Sequence, residues 1–179
     1  SASILLAGLA CASLSASVIV PADLPTLVTE AQSIVLGRVT EVRPIVRADR
    51  RRVDSYVVFA VEESIKGSQE RTVIFRTLGG VNGRYRTVVP GSPVFAAGDE
   101  AVIFLGRSRG AAPFPIGLSQ GVFRVRRDVT SGARRILAPP MLIDPARSMT
   151  VRRGDGTRVP IAVEGFTALV RGLAAPRQP

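Results

Sequence analysis

The fold is decided by the stretch from Ser33 to Val46, which has the sequence SIVLGRVTEVRPIV. Successive residues of a β-strand point to opposite faces of its sheet. The stretch divides into two such faces, with Ile34, Leu36, Arg38 and Thr40 on one and Val35, Gly37, Val39 and Glu41 on the other. This alternation predicts a β-strand, and the proline at position 44 places its end nearby.

Further strand patterns follow along the chain. The polar residues 47–52 predict the tip of a hairpin. Four more segments have strand composition: residues 53–63, 71–78, 101–105 and 118–126. Residues 149–153 and 157–159 predict a last hairpin around a D-G turn. Apolar residues at helical spacing predict a short helix over 23–31 and a closing helix over 161–173.

These elements predict an all-β dominated domain of OB-like architecture. Five strands would form a small barrel, with a short N-terminal helix, extra C-terminal hairpins and a closing C-terminal helix. The barrel would occupy residues 23–126. Residues 127–179 would supply the C-terminal hairpins and helix packed on the same domain. At 179 residues, a single domain is the expected organisation.

Three segments resemble a known family. They are residues 31–39 (AQSIVLGRV), 56–67 (YVVFAVEESIKG) and 95–105 (FAAGDEAVIFL). Together they resemble the netrin-like domains of tissue inhibitors of metalloproteinases and their cysteine-poor relatives among secreted bacterial proteins. The resemblance implies an OB-type five-stranded barrel. The family's inhibitors chelate the protease zinc through an N-terminal cysteine, and no functional residue of this chain corresponds to it by position.

The composition excludes several chemistries. The chain contains no histidine and one cysteine, so Ser-His-Asp and Cys-His catalysis, intramolecular disulfides and cysteine-based zinc clusters are ruled out. We therefore predict a non-enzymatic protein with no catalytic residue, no metal site and no cofactor. The formal charge is +10, from 24 basic against 14 acidic residues. All basic side chains except Lys66 are arginines, which suit bidentate contacts with anions.

The first 22 residues predict an export signal. They carry no charge, and an apolar run is followed by small residues, as at the end of a secretory signal peptide. We therefore expect residues 1–22 to be a signal peptide remnant with the mature N-terminus, and an extracytoplasmic location, periplasmic or secreted. No transmembrane anchor is expected in the mature chain. An alternative is a lipoprotein lipidated at Cys11.

Arginines cluster beside the predicted hairpin tips. The candidate polyanion-binding residues are Arg50, Arg51, Arg52, Arg126, Arg127, Arg134, Arg135, Arg152 and Arg153. If these tips meet, they form a surface for oligosaccharides or lipid headgroups. Nucleic acid is not favoured as a partner, because stacking aromatics do not alternate with the arginines. The acid pairs at 62–63 and 99–100 are interpreted as a solvated strand end and a turn, and Lys66 as a solvated turn residue.

Three functions follow from these features. The first is a secreted or periplasmic, non-enzymatic binding module whose partner is an extracytoplasmic protein or an anionic glycan. The second is a polyanion-binding surface protein that uses the arginine-rich hairpin tips for glycan or anionic lipid. The third is a protease-inhibitor-like protein without the zinc-chelating cysteine. The sequence does not distinguish the ligand or the oligomeric state.

Overall fold

The computed structural model describes residues 22–48, 52–67, 69–107, 111–138 and 160–175. Helix α1 (Leu24–Glu30) precedes the strands and helix α2 (Val163–Ala174) follows them. The strands are β1 (Ser33–Val46), β2 (Val53–Lys66), β3 (Thr72–Leu78), β4 (Gly80–Asn82), β5 (Tyr85–Thr87), β6 (Glu100–Gly106), β7 (Phe114–Pro115), β8 (Val122–Arg127), β9 (Arg134–Leu137) and β10 (Ile161–Ala162). A 3-10 turn at Leu118–Gly121 leads into β8.

Eight of these strands form one antiparallel sheet. Its order is β10-β9-β8-β6-β1-β2-β3, and β7 pairs with part of β6; β4 and β5 form a separate hairpin. The sheet is open, so the prediction of a closed five-stranded barrel is wrong. Between β3 and the β7 segment runs a backbone hydrogen bond, from Arg76 N to Pro113 O at 2.8 Å. Because Pro113 and Pro115 lack N–H groups, this segment cannot supply a regular ladder to β3.

The first of two hydrophobic cores lies between the sheet and the helices. We call it the helix-side core. The sheet contributes Ile34, Leu36, Val102, Phe104, Phe123, Val125 and Ile136, while the helices contribute Leu27, Val28, Val163, Phe166 and Val170. The ring of Phe123 lies 5.2 Å from that of Phe104 and 4.7 Å from that of Phe166. Helix α2 is therefore fixed to the sheet by aromatic packing.

The second core lies on the other face of the sheet, and we call it the inner core. Its members include Val35, Val39, Val57, Phe59, Val73, Phe75, Phe95, Ile103, Leu105 and Val122. Phe75 of β3 and Val122 of β8 share this cluster although three strands, β6, β1 and β2, lie between them in the sheet, so the sheet curls around it. Strand β1 contributes alternate residues to both cores, as its two-faced sequence predicts.

Both predicted helices are confirmed, although α2 begins two residues later than expected. The predicted strand over 118–126 begins only at Val122, because Gly117 and Leu118 adopt left-handed backbone angles and start a 3-10 turn instead. The predicted last hairpin over 149–159 lies outside the described residues, as does the predicted signal segment up to residue 21.

Candidate anion-binding surface

The β8–β9 hairpin brings together four of the predicted arginines. Arg126 pairs with Arg135 and Arg127 pairs with Arg134 across the two strands. Neighbouring residues of a strand point to opposite faces, so the two pairs lie on opposite sides of the hairpin. The sequence cannot show this division, and it gives the two pairs different surroundings.

Arg127 and Arg134 belong to a network of five charged side chains from five strands. We call this network the ionic layer; its members are Arg38, Glu62, Glu100, Arg127 and Arg134. Oε1 of Glu100 lies 2.5 Å from Arg38 Nη2 and 3.2 Å from Arg127 Nη2. Arg134 donates to both oxygens of Glu62, at 2.7 and 2.9 Å, and its Nε lies 3.3 Å from Oε2 of Glu100. Two carboxylates thus balance most of the charge of three guanidinium groups.

The ionic layer continues the sheet face that carries the helix-side core. Arg38 follows Leu36 by two residues, and Glu100 precedes Val102 by two, so each points to the same side as its apolar neighbour. The Glu100 side chain is only 12% exposed. The layer therefore forms a charged border where the apolar part of this sheet face ends.

The bidentate contact between Glu62 and Arg134 changes the pKa of both groups. Hydrogen bonding from Arg134 lowers the pKa of the Glu62 carboxyl, and that bond raises the pKa of the Arg134 guanidinium. Both shifts favour the charged forms. Arg134 is consequently held in place and is not free to take up another anion.

Arg126 and Arg135 lie on the other side of the hairpin, and we call them the open arginine pair. Both are exposed, and neither forms an ion pair with any residue that the structure describes. The nearest turn carboxylate, that of Asp128, accepts hydrogen bonds from Thr130 N and Ser131 N at 3.0 and 2.8 Å. The bonds from Ser131 and Thr130 lower the pKa of Asp128 and keep its carboxylate in the turn. The charge of Arg135 also lowers the pKa of Asp128, as its smallest cause, and Arg135 Nη1 donates to Pro160 O at 3.5 Å. Two like charges therefore pair across the strands, and neither forms an ion pair with a residue that the structure describes.

Of the remaining predicted arginines, the structure describes only Arg52, which does not join this hairpin. Arg52 is exposed at the tip of the β1–β2 hairpin, where its carbonyl accepts from Arg47 N at 2.9 Å. Strand β6 separates that hairpin from β8 and β9. Arg50, Arg51, Arg152 and Arg153 lie outside the described residues, as does Cys11. Convergence of the three tips stays a prediction.

The acidic pairs and Lys66 have partners that the sequence interpretation did not include, although Glu62 is exposed and Asp99 lies in a turn as expected. Glu63 forms an ion pair with Arg171 of α2, and Asp99 forms one with Arg124 at 2.8 Å. Lys66 donates to Val28 O at 2.6 Å, at the end of α1. A cation at the carboxyl end of a helix is stabilising, because the last carbonyls of a helix lack partners. All these contacts join residues distant in sequence, which local patterns do not reveal.

The sequence matches no protein-family model, and no curated protein or solved structure is significantly similar to it. In the described ranges, no three His, Cys, Asp or Glu side chains are grouped so that they could hold a metal ion. Neither described helix is long and apolar enough to cross a membrane.

Proposed function

We propose that this protein is an extracytoplasmic, non-enzymatic binding module that takes up polyanions on the β8–β9 hairpin. The observation that carries the proposal is the open arginine pair, in which Arg126 faces Arg135 without a carboxylate partner. The apolar, uncharged segment 1–22 supports the extracytoplasmic location. The netrin-like relationship and the protease-inhibitor alternative stay predictions, because no comparison bears on them.

Like charges directly opposite each other in a sheet are destabilising. On one side of the hairpin, the chain compensates Arg127 and Arg134 with Glu62 and Glu100. On the other side, the open arginine pair forms no ion pair with the residues that the structure describes, and only Asp128 interacts electrostatically with Arg135. A bound anion would supply the missing negative charge, so this side is the better binding surface.

The ligand chemistry follows from the guanidinium groups. Two planar forks on adjacent strands suit sulfate or phosphate groups, each of which accepts two parallel hydrogen bonds. Such groups occur repeatedly in anionic glycans and on anionic lipid surfaces. Val129, fully exposed in the turn of the same hairpin, would contact the apolar region of a lipid surface but not a glycan chain.

The test is binding to a heparin oligosaccharide as a function of salt. We expect Arg126→Gln with Arg135→Gln to weaken binding and to lower the slope of log Kd against log salt by about two, one for each lost contact. The matched control is Arg84→Gln with Arg86→Gln, which removes the same charge from the exposed β4–β5 hairpin. Equal losses in the two double variants would show that only the net charge matters, and would refute the proposed site.

Phosphatidylglycerol vesicles provide the second arm of the experiment. If the physiological polyanion is a lipid surface, Val129→Ser, which removes the apolar side chain without adding charge, should weaken binding to vesicles and leave binding to heparin unchanged. If it is a glycan, Val129→Ser should leave both unchanged. Wild-type protein that binds neither heparin nor vesicles at low salt would contradict the proposal as a whole.

A further inference from the structure

A pocket lies where β3 and the β7 segment fail to form a regular ladder, and it is separate from the β8–β9 hairpin. We call it the seam pocket. It has a volume of about 200 Å³ and lies between β3 and the β7 segment. Its walls are mostly apolar and are formed by Leu78, Pro93, Phe114, Pro115 and Leu118. Arg76 supplies a charged side chain to the same lining. An apolar cleft with a few placed polar groups is the usual form of a small-molecule site.

Arg76, which lines this pocket, also carries a buried hydrogen-bond donor without a partner. Its Nη1 lies 3.2 Å from Oδ2 of Asp54. Its Nε is buried and has no hydrogen-bond partner in the part of the chain that the structure describes. Buried donors are normally paired, so an unpaired one calls for an explanation. The Arg76 side chain as a whole is 26% exposed, and Asp54 occupies only Nη1, so the exposed part of the guanidinium can donate to a carboxylate.

The local charge favours an anion. The carboxylate of Asp54, which is 5% exposed, is shared by Arg76 and by Arg47, whose Nη1 lies 3.3 Å from it. Two guanidinium groups and one carboxylate leave one positive charge beside the pocket. A neutral or cationic ligand would not balance this charge, whereas a monocarboxylate would.

The walls of the pocket are held in place before any ligand arrives. Ser92 Oγ donates to Leu78 O at 2.7 Å, and Ser119 N donates to Gly91 O at 3.0 Å. Leu118 lines the pocket with a left-handed backbone, at a φ of 59°. Branched side chains rarely adopt this conformation, and such outliers concentrate at functional sites.

From these observations we infer that the seam pocket binds a small monocarboxylate with an apolar body, whose carboxylate pairs with the guanidinium of Arg76. A volume of about 200 Å³ corresponds to roughly seven water molecules at about 30 Å³ each, which suits an acid of hexanoate size. The inference goes beyond the polyanion-binding function, because it involves neither the open arginine pair nor a repeated anion.

The experiment is a titration of the full chain with hexanoate and with hexanamide, its uncharged counterpart, followed by backbone amide shifts. We expect hexanoate to bind with a Kd of about 5 mM or tighter and to shift the amides of Leu78, Phe114 and Leu118. Hexanamide should bind at least about tenfold more weakly, since it lacks the charge-assisted contact. Equal binding of the two compounds, or no binding of hexanoate, would overturn the inference.

Two variants locate the site. Arg76→Lys keeps the charge but removes the fork, and should weaken hexanoate binding about fivefold or more. Leu78→Trp should fill the pocket and abolish binding. Its control is Ile74→Trp, because Ile74 lies four residues away on the same face of β3, is similarly exposed and does not line the pocket. If Arg76→Lys fails to fold, Leu78→Trp and Ile74→Trp still test the location of the site. Equal hexanoate binding by these two variants would refute it.

Two further comparisons identify the source of the carboxylate and separate the two proposals. A short peptide with an apolar C-terminal residue should bind as the free acid but not as the amide if the pocket also accepts chain termini. Binding of hexanoate alone would assign the pocket to free acids, and either result supports a carboxylate site. The Arg126→Gln, Arg135→Gln variant should bind hexanoate like the wild type, so a failure at one site can be distinguished from a failure at the other.

Discussion

Replacing Glu100 by Gln should destabilise the protein while improving its binding of anions. The carboxylate of Glu100 contacts Arg38, Arg127 and Arg134, and its side chain is 12% exposed. The substitution keeps the shape of the side chain and removes its charge. It therefore tests whether the ionic layer is an energetic feature of the fold.

The magnitude follows from the exposure of the three arginines. The side chains of Arg38 and Arg127 are 56% and 59% exposed, so solvent screens each of these ion pairs to about 0.5 kcal/mol. Arg134 is 20% exposed, and its pair with the largely buried Glu100 should contribute about 1 kcal/mol. The sum is about 2 kcal/mol, which for a chain of this size lowers Tm by about 4–8 °C.

The assay is urea unfolding followed by circular dichroism, at low salt and in 1 M NaCl. The free energy of unfolding lost by Glu100→Gln should be smaller in 1 M NaCl, because salt screens the two exposed ion pairs. Glu41→Gln is the matched control: Glu41 pairs with Arg43 on the same strand, but both are well exposed, so no measurable change is expected. A loss below about 0.5 kcal/mol for Glu100→Gln would refute the reasoning from burial.

The same variant tests the competition between internal carboxylates and external anions. Without the Glu100 charge, Arg127 loses its carboxylate and Arg134 keeps only Glu62. Arg127 should then become available to a heparin oligosaccharide, and the affinity at low salt should rise. An unchanged or weaker affinity in folded Glu100→Gln protein would show that the ionic layer does not limit anion binding.

Two further predictions concern the pH dependence of stability and the packing of the sheet. Arg134 lowers the pKa of Glu62 from 4.5 in the folded protein, so the Glu62 carboxylate stabilises the fold above about pH 4.5 and this contribution is lost as the pH falls through the lowered pKa. Glu62→Gln should therefore be less stable than wild type at pH 7, and the difference between their urea midpoints should vanish in acid. Gly37→Ala should lower the free energy of unfolding in urea by more than about 3 kcal/mol, because the added Cβ would lie 2.0 Å from Ala60 O. Gly172→Ala, in open space on α2, should leave this free energy unchanged or raise it, and equal effects of the two substitutions would contradict the close approach at Gly37.

Strand β1 and both helices could be predicted because their evidence is local. The alternation in Ser33–Val46 divides the strand into two faces, and the structure places a core on each. Local patterns could not show whether the sheet closes into a barrel, since closure depends on whether its distant edge strands meet. The prolines at 113 and 115 were visible in the sequence, but their effect depends on their position opposite β3.

The ionic layer shows a similar limit at the candidate site. The sequence identified Arg127 and Arg134 but not their partners, because Glu62 and Glu100 lie on strands far away along the chain. A usable signal did exist: on neighbouring strands, charged residues of opposite sign continue the alternation of the apolar residues, with Arg38 after Leu36 and Glu100 before Val102. The seam pocket had no comparable signal, because Arg76 resembles any other charged residue in an alternating strand.

The sharing of β1 between the two cores has a consequence for how the protein unfolds. Each core depends on one set of alternate β1 side chains, and β1 lies between β2 and β6 in the sheet. If either core melts, β1 loses the packing that holds it, and the other core loses a wall at the same time. The helices and the curled sheet should therefore behave as one cooperative unit, in which partial opening is confined to the sheet margins.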